Sequence, residues 1–228
     1  MTKAVGFDLG NTLVSYYTRE QWPGVLSEAI DAVAGLLERH GRLRVPRDDL
    51  PARVEPERGE VGDHRVRPLA GRLGRIFGLS ADELPRLADE ACQAFLAPTF
   101  AVARLHKDVL PTLAELRRRG VRTGILSNTP WGSPGDLWRG ELARHGLLDA
   151  VDAAVFCTDV DWRKPDRRPF DLLCERLGVR PAECLFVGDD PRWDMAGPAA
   201  IGMPALLIDR TGRDPDAIRS LDQLLDRL

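Results

Sequence analysis

Residues 4–13 read AVGFDLGNTL. A short apolar run delivers an aspartate, Asp8, near its end and then breaks into Gly10, Asn11 and Thr12. Similar runs recur as RTGILS (122–127), DAAVFC (152–157), CLFVGD (184–189) and PALLID (204–209). Most lack strict alternation, which suits strands buried on both faces of a parallel sheet. Helical patterns separate them. In DVLPTLAELRRRG, Val109, Leu110, Leu113 and Leu116 share one face, basic residues gather at the far end, and a glycine stops the run. PFDLLCERLG and the tail DPDAIRSLDQLLDRL have the same character. From about residue 105 onward the chain reads as alternating helix and strand, an open Rossmann-like α/β sheet.

Residues 15–104 break that rhythm. GVLSEAIDAVAGLLERHG carries Leu26, Ile30, Val33 and Leu37 on one stripe, and SADELPRLADEACQAF opens with a Ser80–Glu83 capping box. The stretch between them, RLRVPRDDLPARVEPERGEVGDHRVRP, is charged and proline-bearing, so it reads as loop with short helix. The division expected is an α/β core of residues 1–14 and 105–228, with residues 15–104 as an inserted α-helical domain.

The 228 residues suffice for one sizeable domain with an insert. A formal net charge of −3 and scattered arginines argue against a nucleic-acid partner. No apolar run approaches a membrane span, and MTKAVGFDLG lacks a signal peptide's apolar region, so the expected compartment is the cytoplasm. Cys92, Cys157, Cys174 and Cys184 form no C-x-x-C pair and read as small buried hydrophobes. The sequence gives no indication of oligomeric state.

In open α/β sheets ligands bind outside the carboxyl ends of the strands. Those ends carry Asp8 with Asn11 and Thr12, then Ser127 and Asn128, then Asp189 and Asp190 with Asp194 beyond. Lys164, in DWRKPD, follows the third strand. A carboxylate nucleophile, further acids, a lysine and a hydroxyl thus meet on one rim. A carboxylate attacks phosphorus only if both negative charges are neutralised, which a Mg2+ ion and a lysine do. Ser127 and backbone N–H groups suit phosphoryl oxygens.

With Asp8/Thr12, Ser127/Asn128, Lys164 and Asp189/Asp194 in this order, the chain resembles the haloacid dehalogenase superfamily of hydrolases over its whole length. The resemblance implies a helical cap at 15–104 and a phosphatase that uses Mg2+ on a small phosphorylated substrate. It implies Asp8 as the nucleophile that forms an aspartyl-phosphate, and Lys164 as its catalytic partner. Thr12, Ser127 and Asn128 would bind substrate. Asp8, the Gly10 carbonyl and Asp189 would hold the metal, supported by Asp194 and Asp190.

Gly10 departs from the family's phosphatases, which place a second aspartate there as proton donor and then as base. Its backbone carbonyl survives; the acid does not. 2-Haloacid dehalogenases do without that acid because halide leaves unprotonated, yet they use no Mg2+ and generally lack the GD motif found here. Phosphonatases need a cap lysine, and residues 15–104 contain none. Mutases need the acid itself. The reading favoured is a phosphatase with a borrowed or missing acid, for which Asp63, His64 and Asp190 are candidates, beside a binding or regulatory protein that has lost catalysis and, as a lesser alternative, a 2-haloacid dehalogenase-type hydrolase. Trp131, Trp22, Tyr16 and Tyr17 either line the cleft or pack.

Overall fold

Ala4, Val5 and Phe7 of the first strand, β1 (Ala4–Phe7), have no exposed surface, because β1 is the middle strand of a parallel sheet. The computed structural model describes residues 2–59 and 62–228. On one side β1 pairs with β4 (Arg122–Ser127), which pairs with β5 (Ala153–Phe156). On the other it pairs with β6 (Cys184–Gly188), which pairs with β7 (Ala205–Leu207). The order β5-β4-β1-β6-β7 places the reversal of winding beside β1, where such sheets open a crevice. All five apolar runs form strands of this sheet.

One helix sets the spacing on the back of the sheet. In α7 (Arg167–Leu177), Leu173 sits over Gly6 and Gly124, which face each other in the β1–β4 register. A Cβ on Gly6 would lie 2.7 Å from Leu173 Cδ2, and one on Gly124 2.7 Å from Leu173 Cδ1. Asp166 caps α7 by accepting the Arg168 N–H, and Gly178 ends it at φ +60°.

The other face is shared by α5 (Val109–Arg118) with the inserted helices, while α8 (Ala196–Ala200) packs beside α7. The chain leaves the sheet through β2 (Val14–Ser15) and returns through β3 (Arg104–Leu105), and the two pair antiparallel. Between them α1 (Trp22–Arg39) packs on α4 (Leu84–Val102), joined by α2 (Leu50–Val54) and α3 (Leu69–Phe77). Leu26, Ile30, Val33 and Leu37 are all buried there, as the stripe requires. Their cluster is continuous with Phe7, Leu9 and Val187, so the helical block and the sheet share one apolar core. The four cysteines are buried and free. Among the described residues no helix is long and apolar enough to cross a membrane.

Three expectations are corrected. The tail is helical only over α9 (Asp222–Leu225). The Asp209 carboxylate accepts the N–H groups of Thr211, Arg213 and Asp214, and Ile218 pairs with Ile208, so the intervening chain turns and extends the sheet. The Ser80–Glu83 box makes both of its hydrogen bonds, yet they close a turn and the helix starts at Leu84. The stretch after Asn128, TPWGSPGDLW, is expected as loop, but α6 (Gly135–Arg144) begins within it, obscured by Gly135 and Gly140.

The Gly6–Leu173 contact gives a stability test. Gly6→Ala lowers unfolding stability by about 1–3 kcal/mol, the usual cost of overpacking. Gly140→Ala, inside α6 where a Cβ meets nothing within 4 Å, is neutral or stabilising. Urea denaturation of both variants measures the difference.

Candidate active site

Three adjacent strands, β4, β1 and β6, deliver Ser127, Asp8 and Asp189 side by side at their carboxyl ends. Lys164 arrives from the loop between β5 and α7 and is 2% exposed. Its Nζ donates to Asp8 Oδ1 at 2.6 Å and to Asp194 Oδ1 at 2.7 Å. Asn128 fixes this lysine through the backbone: its Oδ1 accepts the Lys164 N–H at 2.8 Å, and its Nδ2 donates to the Lys164 carbonyl at 3.1 Å.

Asp194 lies in the helical turn Pro191–Met195 and is buried. Its Oδ2 accepts the Asp190 N–H, and its own N–H donates to the Asp190 carbonyl. Gly188 makes this possible, because a Cβ there would stand 2.3 Å from the Asp194 carboxyl.

Asp8, Asp189 and Asp194 offer carboxylate oxygens that all lie within 4.8 Å of one another. One lysine does not balance three such acids. Burial, followed by the charges of Asp8 and Asp194, pushes the Asp189 carboxyl up to about 8. Burial is also the main force raising Asp8 to about 6, with Lys164 opposing it. Burial works against the Lys164 ammonium, but Asp194 and Asp8 outweigh it and raise it further. An all-oxygen, acid-rich set with excess negative charge fits a hard divalent cation such as Mg2+.

The acids open onto a cleft of about 770 Å³ that also meets Gly10, Ser127, Asn128 and Asp190. Thr12 is not brought to it: the residue is fully buried, and its carbonyl accepts two hydrogen bonds from Arg210. Asp190 reaches the cleft but is engaged by Arg192. Burial draws its carboxyl upward, yet the bonds from Arg192 prevail and hold it below the usual range, as a carboxylate without a proton to give. Asp63 accepts the Arg65 N–H, and His64 packs edge-on against Trp193; neither is among the residues that line the cleft. Trp131 is buried, stacked at 5.5 Å on Phe95 and facing Arg72, so it packs rather than binding. Trp22 packs on Tyr17, which does reach the cleft.

Sequence reasoning missed Arg163 and Trp193 in the cleft wall, and Arg210 behind Thr12. Arg163 and Trp193 are each next to a motif residue, so adjacency was a usable signal; nothing marked Arg210.

Gly10 is not a steric necessity. A Cβ there meets nothing within 4 Å, and its φ lies outside the left-handed region. The position is open to a side chain and has none.

The pattern that defines haloacid dehalogenase-like hydrolases matches residues 2–202. The phosphoglycolate phosphatase of Rhodospirillum rubrum is 31% identical over 214 residues, covering 91% of this chain and 80% of that one. (S)-2-haloacid dehalogenase 1 of a Pseudomonas species is 31% identical over 185 residues, covering 72% and 78%. The crystal structure of a HAD phosphatase from Thermococcus onnurineus superposes with TM-score 0.66 at 27% identity, over 99% and 97% of the chains.

The raised Asp189 carboxyl yields a pH prediction. Between the ordinary carboxylate value and about 8, the folded chain holds a proton at Asp189 that the unfolded chain has released, so stability falls as pH rises. Asp189→Asn removes this penalty. Without divalent ions, its melting temperature relative to the unmodified protein climbs as pH is raised from about 5 to about 8. Thermal melts in chelator across that window check it.

Proposed function

This chain belongs to the haloacid dehalogenase-like hydrolases, and on that premise we propose that it is a phosphatase working through an aspartyl-phosphate on Asp8. The observation that carries the reading is the buried Asp8–Lys164–Asp194 arrangement with Asp189 beside it. Asp8 and Asp189, with the Gly10 carbonyl, are the residues proposed to hold Mg2+; Asp194 and Asp190 support them. When bound, the ion would offset the phosphate's charge and that of the acids around it.

Lys164 pins one oxygen of Asp8 and keeps the carboxylate ionised beside the phosphate. Ser127 takes a phosphoryl oxygen. Asp8 attacks phosphorus, the bond from phosphorus to the leaving oxygen breaks, and that oxygen departs with the electron pair. Water then attacks the aspartyl-phosphate, releasing inorganic phosphate and restoring the Asp8 carboxylate. The helical block, residues 15–104, serves as the cap that closes over this chemistry and excludes water.

Neither step has an acid or base at position 10. Asp190 has no proton to donate, and neither Asp63 nor His64 lines the cleft. The substrates favoured are therefore small phosphate esters or anhydrides whose leaving groups depart as anions, such as aryl and acyl phosphates. Losing general acid help costs on the order of 10²–10⁴ in rate, mostly for alkyl esters.

A dehalogenase reading has one observation in its favour, since halide needs no proton and Gly10 costs it nothing. Asp189 within reach of Asp8 stands against it. Halide release from a 2-haloacid, in place of phosphate release, decides between them.

The test is an assay of p-nitrophenyl, acetyl and alkyl phosphates with Mg2+. Asp8→Asn abolishes turnover; full retention removes the nucleophile assignment. Gly10→Asp, which has room, raises kcat/KM for alkyl phosphates by about 10²-fold and for aryl phosphates much less. An equal gain on both means that a proton already comes from elsewhere.

A further inference from the structure

The cleft has a second lobe of different chemistry. The lobe that holds Asp8 and Asp189 is lined by carboxylates together with Arg163 and Lys164. The second, about 430 Å³, shares Gly10, Ser127 and Asn128 with it but is lined by no charged side chain. Leu9, Tyr16, Thr99 and Trp138 belong to the second lobe alone, and Tyr17 serves both. Tyr16 stands edge-on to Trp138 at 5.6 Å, and the Trp138 indole N–H is already given to Ser133, so Trp138 contributes only its ring.

The Tyr16 hydroxyl is the unusual group. It is buried, and among the described residues nothing hydrogen-bonds to it. A buried hydroxyl without a partner costs free energy that a ligand's acceptor would recover. Burial and the negative charges of Glu141 and Asp8 keep the phenol protonated, hence a donor. An uncharged lining offers an anionic group in the lobe no counter-ion.

Gly10 lies at the junction of the two lobes, where a Cβ meets nothing within 4 Å. An aspartate there would put a carboxylate between the phosphate seat and the aromatic lobe. Glycine leaves the passage open and uncharged.

Building on the phosphatase reading, we propose that the second lobe is the leaving-group site and that Tyr16 is its specificity-determining residue. The substrate class is a phosphate monoester of an uncharged, flat alcohol of phenol type, with a hydrogen-bond acceptor at its far end for the Tyr16 hydroxyl. The aromatic ring packs against Trp138 and Tyr17, and phenoxide departs without a proton, which matches the missing acid at Gly10.

The experiment compares three esters of similar shape: 4-acetylphenyl phosphate (acceptor), 4-isopropylphenyl phosphate (no acceptor) and 4-carboxyphenyl phosphate (anionic). In the unmodified protein, kcat/KM for the acetyl ester exceeds that for the carboxyl ester by tenfold or more. In Tyr16→Phe, the acetyl-to-isopropyl ratio of kcat/KM falls about fivefold, carried by KM, as expected for one lost hydrogen bond. The ratio is internal to each protein, so a general loss of folded enzyme does not imitate it. An unchanged ratio, or a carboxyl ester as good as the acetyl ester, overturns the lobe assignment while the phosphatase reading stands on Asp8→Asn. Absence of turnover on all three while acetyl phosphate is hydrolysed overturns the lobe assignment alone; absence of turnover on acetyl and alkyl phosphates as well overturns the phosphatase reading, and the lobe assignment with it.

Discussion

A single buried ammonium holds this site together. Lys164 lies between Asp8 and Asp194, with both contacts under 2.8 Å and all three side chains shielded from water. Such an arrangement is costly to desolvate, and removing one partner strands the others without compensation. The fold is arranged to supply all three. Asp8 comes from the end of the central strand, Asp194 from the turn after its neighbour, and Lys164 from the loop ahead of the helix that packs on the back of the sheet. Asn128, at the end of the other neighbouring strand, grips the Lys164 backbone in both directions. What resembled a substrate-binding amide in the sequence thus spends its hydrogen bonds on placing the lysine.

Much of this was legible from the chain alone, for physical reasons. Parallel strands buried on both faces need unbroken apolar runs, and all five runs became strands. Strand ends are where such sheets place ligands, and Asp8, Ser127 and Asp189 stand there together. The failures share a different cause. The tail has helical spacing, but the Asp209 carboxylate competes for the backbone N–H groups and wins. Thr12 is one turn too deep, turned into the protein while Arg210 takes its carbonyl from 198 residues away in sequence. Interactions of that range leave no local signature. Tyr16 and Tyr17 are adjacent, and only the fold shows that Tyr17 serves both lobes while Tyr16 belongs to one.

The helical insert and the sheet share one continuous core, and the cleft runs along their junction. That junction is where the two unusual features meet. Gly10 is small without any steric demand, and Tyr16 carries a hydroxyl without a partner. Under the proposed function they leave a site without a proton donor at position 10 and with a neutral, aromatic passage beside Asp8. Chemistry that needs no proton and a leaving group that needs no counter-ion are consistent demands on one substrate.

The same loss has a consequence for the second half of the reaction, because a base at position 10 would also have activated the hydrolytic water. Under the proposed mechanism, dephosphorylation of Asp8 is then the slow step whenever the leaving group is good. The most direct measurement is rapid-quench mass spectrometry of the protein during turnover of an aryl phosphate with Mg2+. A gain of one phosphoryl group that maps to the peptide bearing Asp8, builds up within the first turnover and is absent in Asp8→Asn is the predicted result. Steady product release with no phosphoryl group on that peptide, or the same gain in Asp8→Asn, contradicts it.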